Sequence, residues 1–236
     1  AYAFSGCSSL VNATLPEGIT TIGEYAFSRC TSLKKITVPK SVTSISDGAF
    51  KGCTSLEEMT LPFVGTSREE KNSSTNIYTG VLGIIFGYEK TSNGNWSADD
   101  VVYQYYDDYS RYYYHYYIPS TLRKVTITDA AQIPRHAFSN CSMLTEININ
   151  EGITKIENNA FYNCSGITEI TVPGSVTSIG SSAFSGCEGL TKVNAASIEV
   201  WSKIGFGNEK ANPTYYGKKL YVDGKEVTTV TIPEGT

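Results

Sequence analysis

The sequence predicts an α/β solenoid, a stack of short coils with parallel strands and short helical turns, and three observations predict it. Phe4, Phe27 and Phe50, then Phe138, Phe161 and Phe184, recur at a constant step of 23 residues. Each is preceded by Ala and followed three places later by a cysteine: Cys7, Cys30, Cys53, Cys141, Cys164 and Cys187. Between them a second pattern repeats, of which Leu33, Ile36, Val38, Pro39, Val42 and Ile45 are one copy. A unit this short cannot bury its own apolar face, so like units must stack and share one core.

Each element of the coil has a local cause. Ile36-Thr37-Val38 alternates apolar and polar residues, the period of a strand with one buried edge. Pro39 follows, and Pro16, Pro62, Pro173 and Pro233 stand in the same slot. Proline has no amide hydrogen for a neighbouring strand, so each ends its strand and turns the chain. Val42 and Ile45 form a second extended piece, and Asp47-Gly48-Ala49-Phe50 suits a short helical turn with Phe as an inward anchor.

Composition bounds the function. The chain has 236 residues, 40% of them apolar, enough for a sizeable core in one elongated domain. Net charge is −4 with no basic block, so nothing points to nucleic acid. No apolar run approaches a membrane span of ~20 residues; the longest, Val81 to Phe86 around Gly83, is expected to be a short buried strand. Residue 1 already lies inside a repeat, and Ile232-Pro233 restates the strand-and-turn signal near the end. The chain is therefore expected to be a fragment of a longer protein, with repeats over 1–62, an insertion over 63–121, and repeats including a longer variant over 122–236.

Six cysteines invite a disulfide framework. Equivalent residues of adjacent coils lie about 4.8 Å apart, but their side chains point in parallel. The expectation is a ladder of buried thiols acting as small apolar filler. No close Cys pair suits a metal, and no cofactor motif is present.

Two places after each leading apolar residue come Asn12, Lys35, Glu58, Lys124, Glu146, Glu169, Lys192 and Thr229, expected to form one row across the sheet. Thr14, Thr37, Thr60, Thr126, Asn148, Thr171, Asn194 and Thr231 form the next. Opposite charges mostly neighbour one another in the first row, which makes it a self-neutralised solvated face, although ligand binding there stays open.

The pattern L-x2-I-x-V-P-x2-V-x2-I-x3-A-F-x2-C resembles the leucine-rich repeats of the BspA-like family, found in bacterial surface and secreted proteins. The resemblance is closest over residues 1–62 and about 122–194. It extends to a longer variant repeat carrying Trp201, Ile204, Phe206, Tyr215-Tyr216-Gly217 and Leu220-Tyr221-Val222. It implies a leucine-rich-repeat solenoid that serves as an extracellular or cell-surface adhesin or binding scaffold, not an enzyme.

The insertion is the most individual part. From Tyr103 to Tyr117, nine of fifteen residues are tyrosine. Insertions in solenoids tend to project from one face, and tyrosine supplies wide amphipathic contact at small entropic cost. Trp96, Tyr105, Tyr106, Tyr109, Tyr112, Tyr113, Tyr114 and Tyr116 are the candidate contacts to a protein or glycan partner on host or neighbouring cells. The other reading packs these tyrosines against the solenoid side, in a passive spacer or stalk that carries other domains. No catalytic constellation stands out. His115 lies within the tyrosine run, where a satisfied or exposed imidazole is expected in place of a general base, and His136 occupies a slot so tolerant of side chain that it is expected to face solvent.

Overall fold

The structure is a computed structural model that describes residues 1–67, 80–90, 102–105 and 113–230. The expected solenoid forms. First strands Asn12–Thr14, Lys35–Thr37, Glu58–Leu61, Lys124–Ile127 and Glu146–Ile149 pair in parallel in that order. Glu169–Val172 lies beside the last of these and pairs in turn with Lys192–Ala195 and Lys219–Val222. Register holds at the repeat length, with Lys35 opposite Glu58 and Ile36 opposite Met59. Within Lys35–Thr37 only Ile36 is buried, as alternation along a pleat requires.

A second set of two-residue strands, among them Thr21–Ile22, Ser44–Ile45, Lys155–Ile156 and Ser178–Ile179, forms parallel ladders behind the prolines. The interior between the two sets is filled by the repeated Ala, Phe, Cys, Leu and Ile positions. The phenyl rings stack along the axis with centroids 5.4 Å apart for Phe27 and Phe50 and 5.5 Å for Phe138 and Phe161. Burial of each such ring stabilises by roughly 1.5–3 kcal/mol.

The Ala-Phe segments differ from the helical turns expected. They are reverse turns closed by bonds between residues three apart, such as Ser28 N–H to Tyr25 O at 3.1 Å and Cys30 N–H to Phe27 O at 3.2 Å. The cause is a left-handed residue on either side. Tyr25 and Arg29, Gly48 and Gly52, Asn159 and Asn163, and Ser182 and Gly186 all have φ between 52° and 76°, and a right-handed helix cannot run through such positions. The amides left over bond the next coil, Phe27 N–H to Ala49 O at 2.8 Å and Arg29 N–H to Lys51 O at 2.7 Å. The turns therefore form a third ladder, which settles their backbone groups.

The loss of period is absorbed by one enlarged coil. It starts with Glu58–Leu61, buries Phe63 and Val64, and accepts a bond from Ile45 N–H at Thr66 O, 2.9 Å. The apolar run is a buried 3-10 helix, Leu82–Phe86, and not the strand expected. It fills the turn position between Phe50 and Phe138, where turn geometry is what the neighbours can bond. Gly48 N–H and Phe50 N–H donate to Ile84 O and Ile85 O at 3.1 and 2.8 Å, and Leu82 N–H donates to Ala137 O at 2.9 Å. An antiparallel sheet follows, with Tyr113–Tyr116 between Tyr88–Lys90 and Val102–Tyr105. The chain returns through buried Ile118 and Leu122 to Lys124–Ile127, which pairs directly with Glu58–Leu61.

The variant coil also departs from expectation. Lys219, not Thr229, stands beside Lys192, and Tyr221 beside Asn194. The helix Ile198–Ser202, capped by Ser197 Oγ accepting from Val200 N–H at 3.1 Å, lengthens this step to 27 residues, 219 minus 192. Thr231 and Pro233 lie outside the described residues.

Candidate functional site

Three surfaces could carry chemistry or recognition: the strand face, the thiol ladder, and the enlarged coil. The strand face closes on itself. Lys35 Nζ lies 2.8 Å from Glu58 Oε1, Lys34 Nζ 2.9 Å from Glu57, Lys124 Nζ 2.6 Å from Glu146, and Lys192 Nζ 2.9 Å from Glu169. Asn148 and Asn194 each donate an amide N–H to the same glutamates, at 2.8 and 2.6 Å. These lysine bonds first, then the asparagine bonds, hold the Glu146 and Glu169 carboxyls below their ordinary range. The adjacent acids Glu57 and Glu58 thus serve two separate lysines and do not converge on one site.

The cysteines are free, and all but Cys7 are buried. The thiols do more than fill space. Cys30, Cys53, Cys164 and Cys187 each point Sγ at the carbonyl of the phenylalanine one coil earlier, at 3.1, 3.1, 2.9 and 3.0 Å. The Phe-to-Cys spacing set this up, but only the turn geometry reveals the bond. Burial pushes the Cys53 and Cys187 thiols up to about 12, so neither is a thiolate nucleophile at neutral pH. Among the described residues no cluster of three or more His, Cys, Asp or Glu could hold a metal.

Both histidines are enclosed. His136, expected to face solvent, is 3% exposed. Its slot is defined by backbone, with φ 55° and its N–H bonded to Asn158 O at 3.1 Å. Tolerance of Tyr, Gly, Asn and Ser at that position reflects the left-handed turn, which does not require exposure. His115 is buried on the central strand of the small sheet.

Of the predicted contact residues, Trp96, Tyr106, Tyr109 and Tyr112 lie outside the described residues. Tyr105 and Tyr113 are paired opposite each other on the small sheet, with Tyr114 opposite Gln104. Tyr116 is a correction: it is 2% exposed, its ring 6.0 Å from that of Tyr88, and it joins the main core. Its place opposite both Tyr88 and Val102 puts it at the root of the sheet, where the insertion joins the stack.

Two further places are not among the contact residues expected from the sequence. Tyr215 and Tyr216 form an exposed edge-to-face pair, centroids 4.8 Å apart, in the variant coil. Lys51 Nζ lies 5.6 Å from the centroid of Tyr117, where the small sheet returns to the stack. No helix among the described residues is long and apolar enough to cross a membrane.

The sequence profile described as BspA type Leucine rich repeat region matches this chain in six copies over residues 1–77 and 111–234. A leucine rich repeat protein of T. pallidum is 22% identical over 78% of this chain and 58% of its own length, with a TM-score of 0.34. A leucine-rich repeat protein from Eubacterium ventriosum is 23% identical over 86% of this chain and 64% of its own, with a TM-score of 0.35. A leucine rich cell surface protein from Faecalibacterium prausnitzii is 24% identical over 88% and 65%, with a TM-score of 0.29. The chain thus spans less than two thirds of each of these relatives. Among curated proteins nothing matches.

Proposed function

The chain belongs to the BspA-type leucine-rich repeat family, and from that premise we propose that it is a non-enzymatic recognition module, secreted or held at the cell surface, whose enlarged coil meets a protein or glycan partner. Scaffolds of this type are typical of bacterial surface proteins. The observation that carries the reading is how the enlarged coil is fixed: Leu82–Phe86 bonds the coils on both sides, and the first strands pair across it without a gap. The described residues thus complete the pairing of adjacent coils by themselves, and residues 91–101 and 106–112 hold Trp96, Tyr106, Tyr109 and Tyr112. A rigid scaffold joined to sequence this rich in tyrosine matches the chemistry of binding surfaces.

Non-enzymatic action is supported by the raised thiol pKa values and by the self-paired carboxylates of the strand face. The test is a screen of the chain against extracellular-matrix proteins and a glycan panel, beside a variant in which residues 106–112 are replaced by Asn-Gly. Binding that the variant loses, at an unchanged melting temperature, is the expected result. Absence of binding across both panels would favour a passive spacer and overturn the reading.

A further inference from the structure

Two clefts on the turn side of the stack share Lys51 and Gly52. One, of about 440 Å³, reaches Tyr2, Tyr25 and Arg29; the other, of about 380 Å³, reaches Tyr117, Pro119 and Ser120. Together they make one groove across the first three coils to the root of the small sheet. Among the described residues, the charged ones that line it are Arg29 and Lys51, both cationic, in a chain of net charge −4. Among the described residues neither forms a salt bridge, although Asp47 is near enough to Lys51 to feel its charge. Tyr2 and Tyr25 lie with centroids 5.4 Å apart at 30°, and Lys51 faces the Tyr117 ring.

The groove is shaped by the side chains that occupy the left-handed positions flanking each turn. Tyr25 and Arg29 hold left-handed φ of 52° and 60°, where the next coil has Gly48 and Gly52. Gly48 makes the room for Tyr25: a Cβ there would meet the Tyr25 ring at 2.9 Å, whereas one on Gly52 would make only ordinary contact with Arg29 Cγ at 3.5 Å. Tyr25 and Arg29 therefore lie down across the third coil.

We infer that this groove binds an acidic polysaccharide. The cations answer uronate or sulfate groups, the flat tyrosine rings answer the apolar faces of sugar rings, and Ser5, Ser28, Thr54 and Ser120 line it with hydroxyls. An acidic peptide is recognised by a cluster of arginines, whereas the described lining holds one arginine and one lysine set among tyrosine rings. The proposal uses no residue of 91–101 or 106–112, so it and the reading given above can fail independently.

The experiment is calorimetric titration of the whole chain with a heparin-derived oligosaccharide, neutral cellohexaose and poly-L-glutamate. One saturable site for the heparin oligosaccharide is expected, weakened by salt, with cellohexaose and poly-L-glutamate bound far more weakly. Arg29→Gly removes the cation and relieves the left-handed strain, so it should keep or raise the melting temperature while weakening binding about tenfold, the scale of one charged hydrogen bond. Lys51→Gln should do the same to affinity, and the distant pair Lys203→Gln with Lys225→Gln should leave it unchanged. The Asn-Gly replacement of 106–112 should also leave it unchanged. Poly-L-glutamate bound as tightly as the sugar, equal loss from the distant lysines, unaltered affinity in Arg29→Gly, or no binding at all would each overturn the assignment.

Discussion

The regular coils and the enlarged coil solve one problem in two ways. In a regular coil every group is answered by its own copy one repeat away: Phe27 stacks on Phe50, Lys35 pairs with Glu58, and Cys53 reaches Phe27 O. In the enlarged coil no copy exists, and Leu82–Phe86 answers Gly48, Phe50 and Ala137 with unlike residues and a different turn. Phe86 approaches Phe50 at 6.3 Å and 51°, against 10° between Phe27 and Phe50. The difference teaches that the stack demands backbone partners and buried volume at each level, while side-chain identity is required only where a copy must fit a copy.

That contrast can be broken by mutation, and the largest effect should come from the ring ladder. Phe161→Ala should destabilise by about 3–5 kcal/mol, since the ring is enclosed between Phe138 and Phe184. Chemical denaturation would measure this, and a loss under about 1 kcal/mol would deny the stacked interior. Ile85→Ala tests whether the enlarged coil is truly part of the same core. A loss of about 2–5 kcal/mol in the same single transition is expected, whereas a separate early transition would make the enlarged coil an independent unit.

Smaller effects sharpen the comparison. Cys164→Ala should cost about 1 kcal/mol through the lost bond to Phe138 O. In the native protein the buried thiols should resist a thiol reagent that Cys7 meets at once, because burial raises Cys53 and Cys187 to about 12. The smallest effect lies on the strand face. Glu146 and Glu169 titrate below their usual value of 4.5, so the stability they contribute is present above it and is lost as pH falls through their folded values. Glu169→Gln should flatten that acid arm while changing stability near neutral pH by only a few tenths of a kcal/mol.

Much of this was legible in the residues. The Phe and Cys spacing placed the interior, the prolines placed the strand ends, and the Lys and Glu alternation placed the surface pairs. The turns were misjudged because Ala and Phe suit a helix locally, while the deciding residues are the flanking Tyr25 and Arg29, whose left-handed backbone leaves no mark in their chemistry. Val81–Phe86 carries no period that separates a strand from a 3-10 turn, since it is apolar on every side. Lys219 is hidden from the sequence because a four-residue longer step breaks counting by 23, which leads from Lys192 to Tyr215. Tyr116 and His115 could not be distinguished from the tyrosines around them, because only pairing with Tyr88, Glu89, Val102 and Tyr103 fixes which end of the strand enters the core. The basic groove was invisible for a related reason: Arg29 and Lys51 belong to different coils, and only stacking makes them neighbours.

The central claim is that the repeat passes beneath the enlarged coil unbroken, so that Glu58–Leu61 and Lys124–Ile127 are adjacent strands. Nuclear Overhauser contacts between the Met59 and Val125 side chains test it most directly. The account predicts a strong contact between these two residues, which are neighbours in register. Contacts from Met59 to residues of 91–112, with none to Val125, would contradict it.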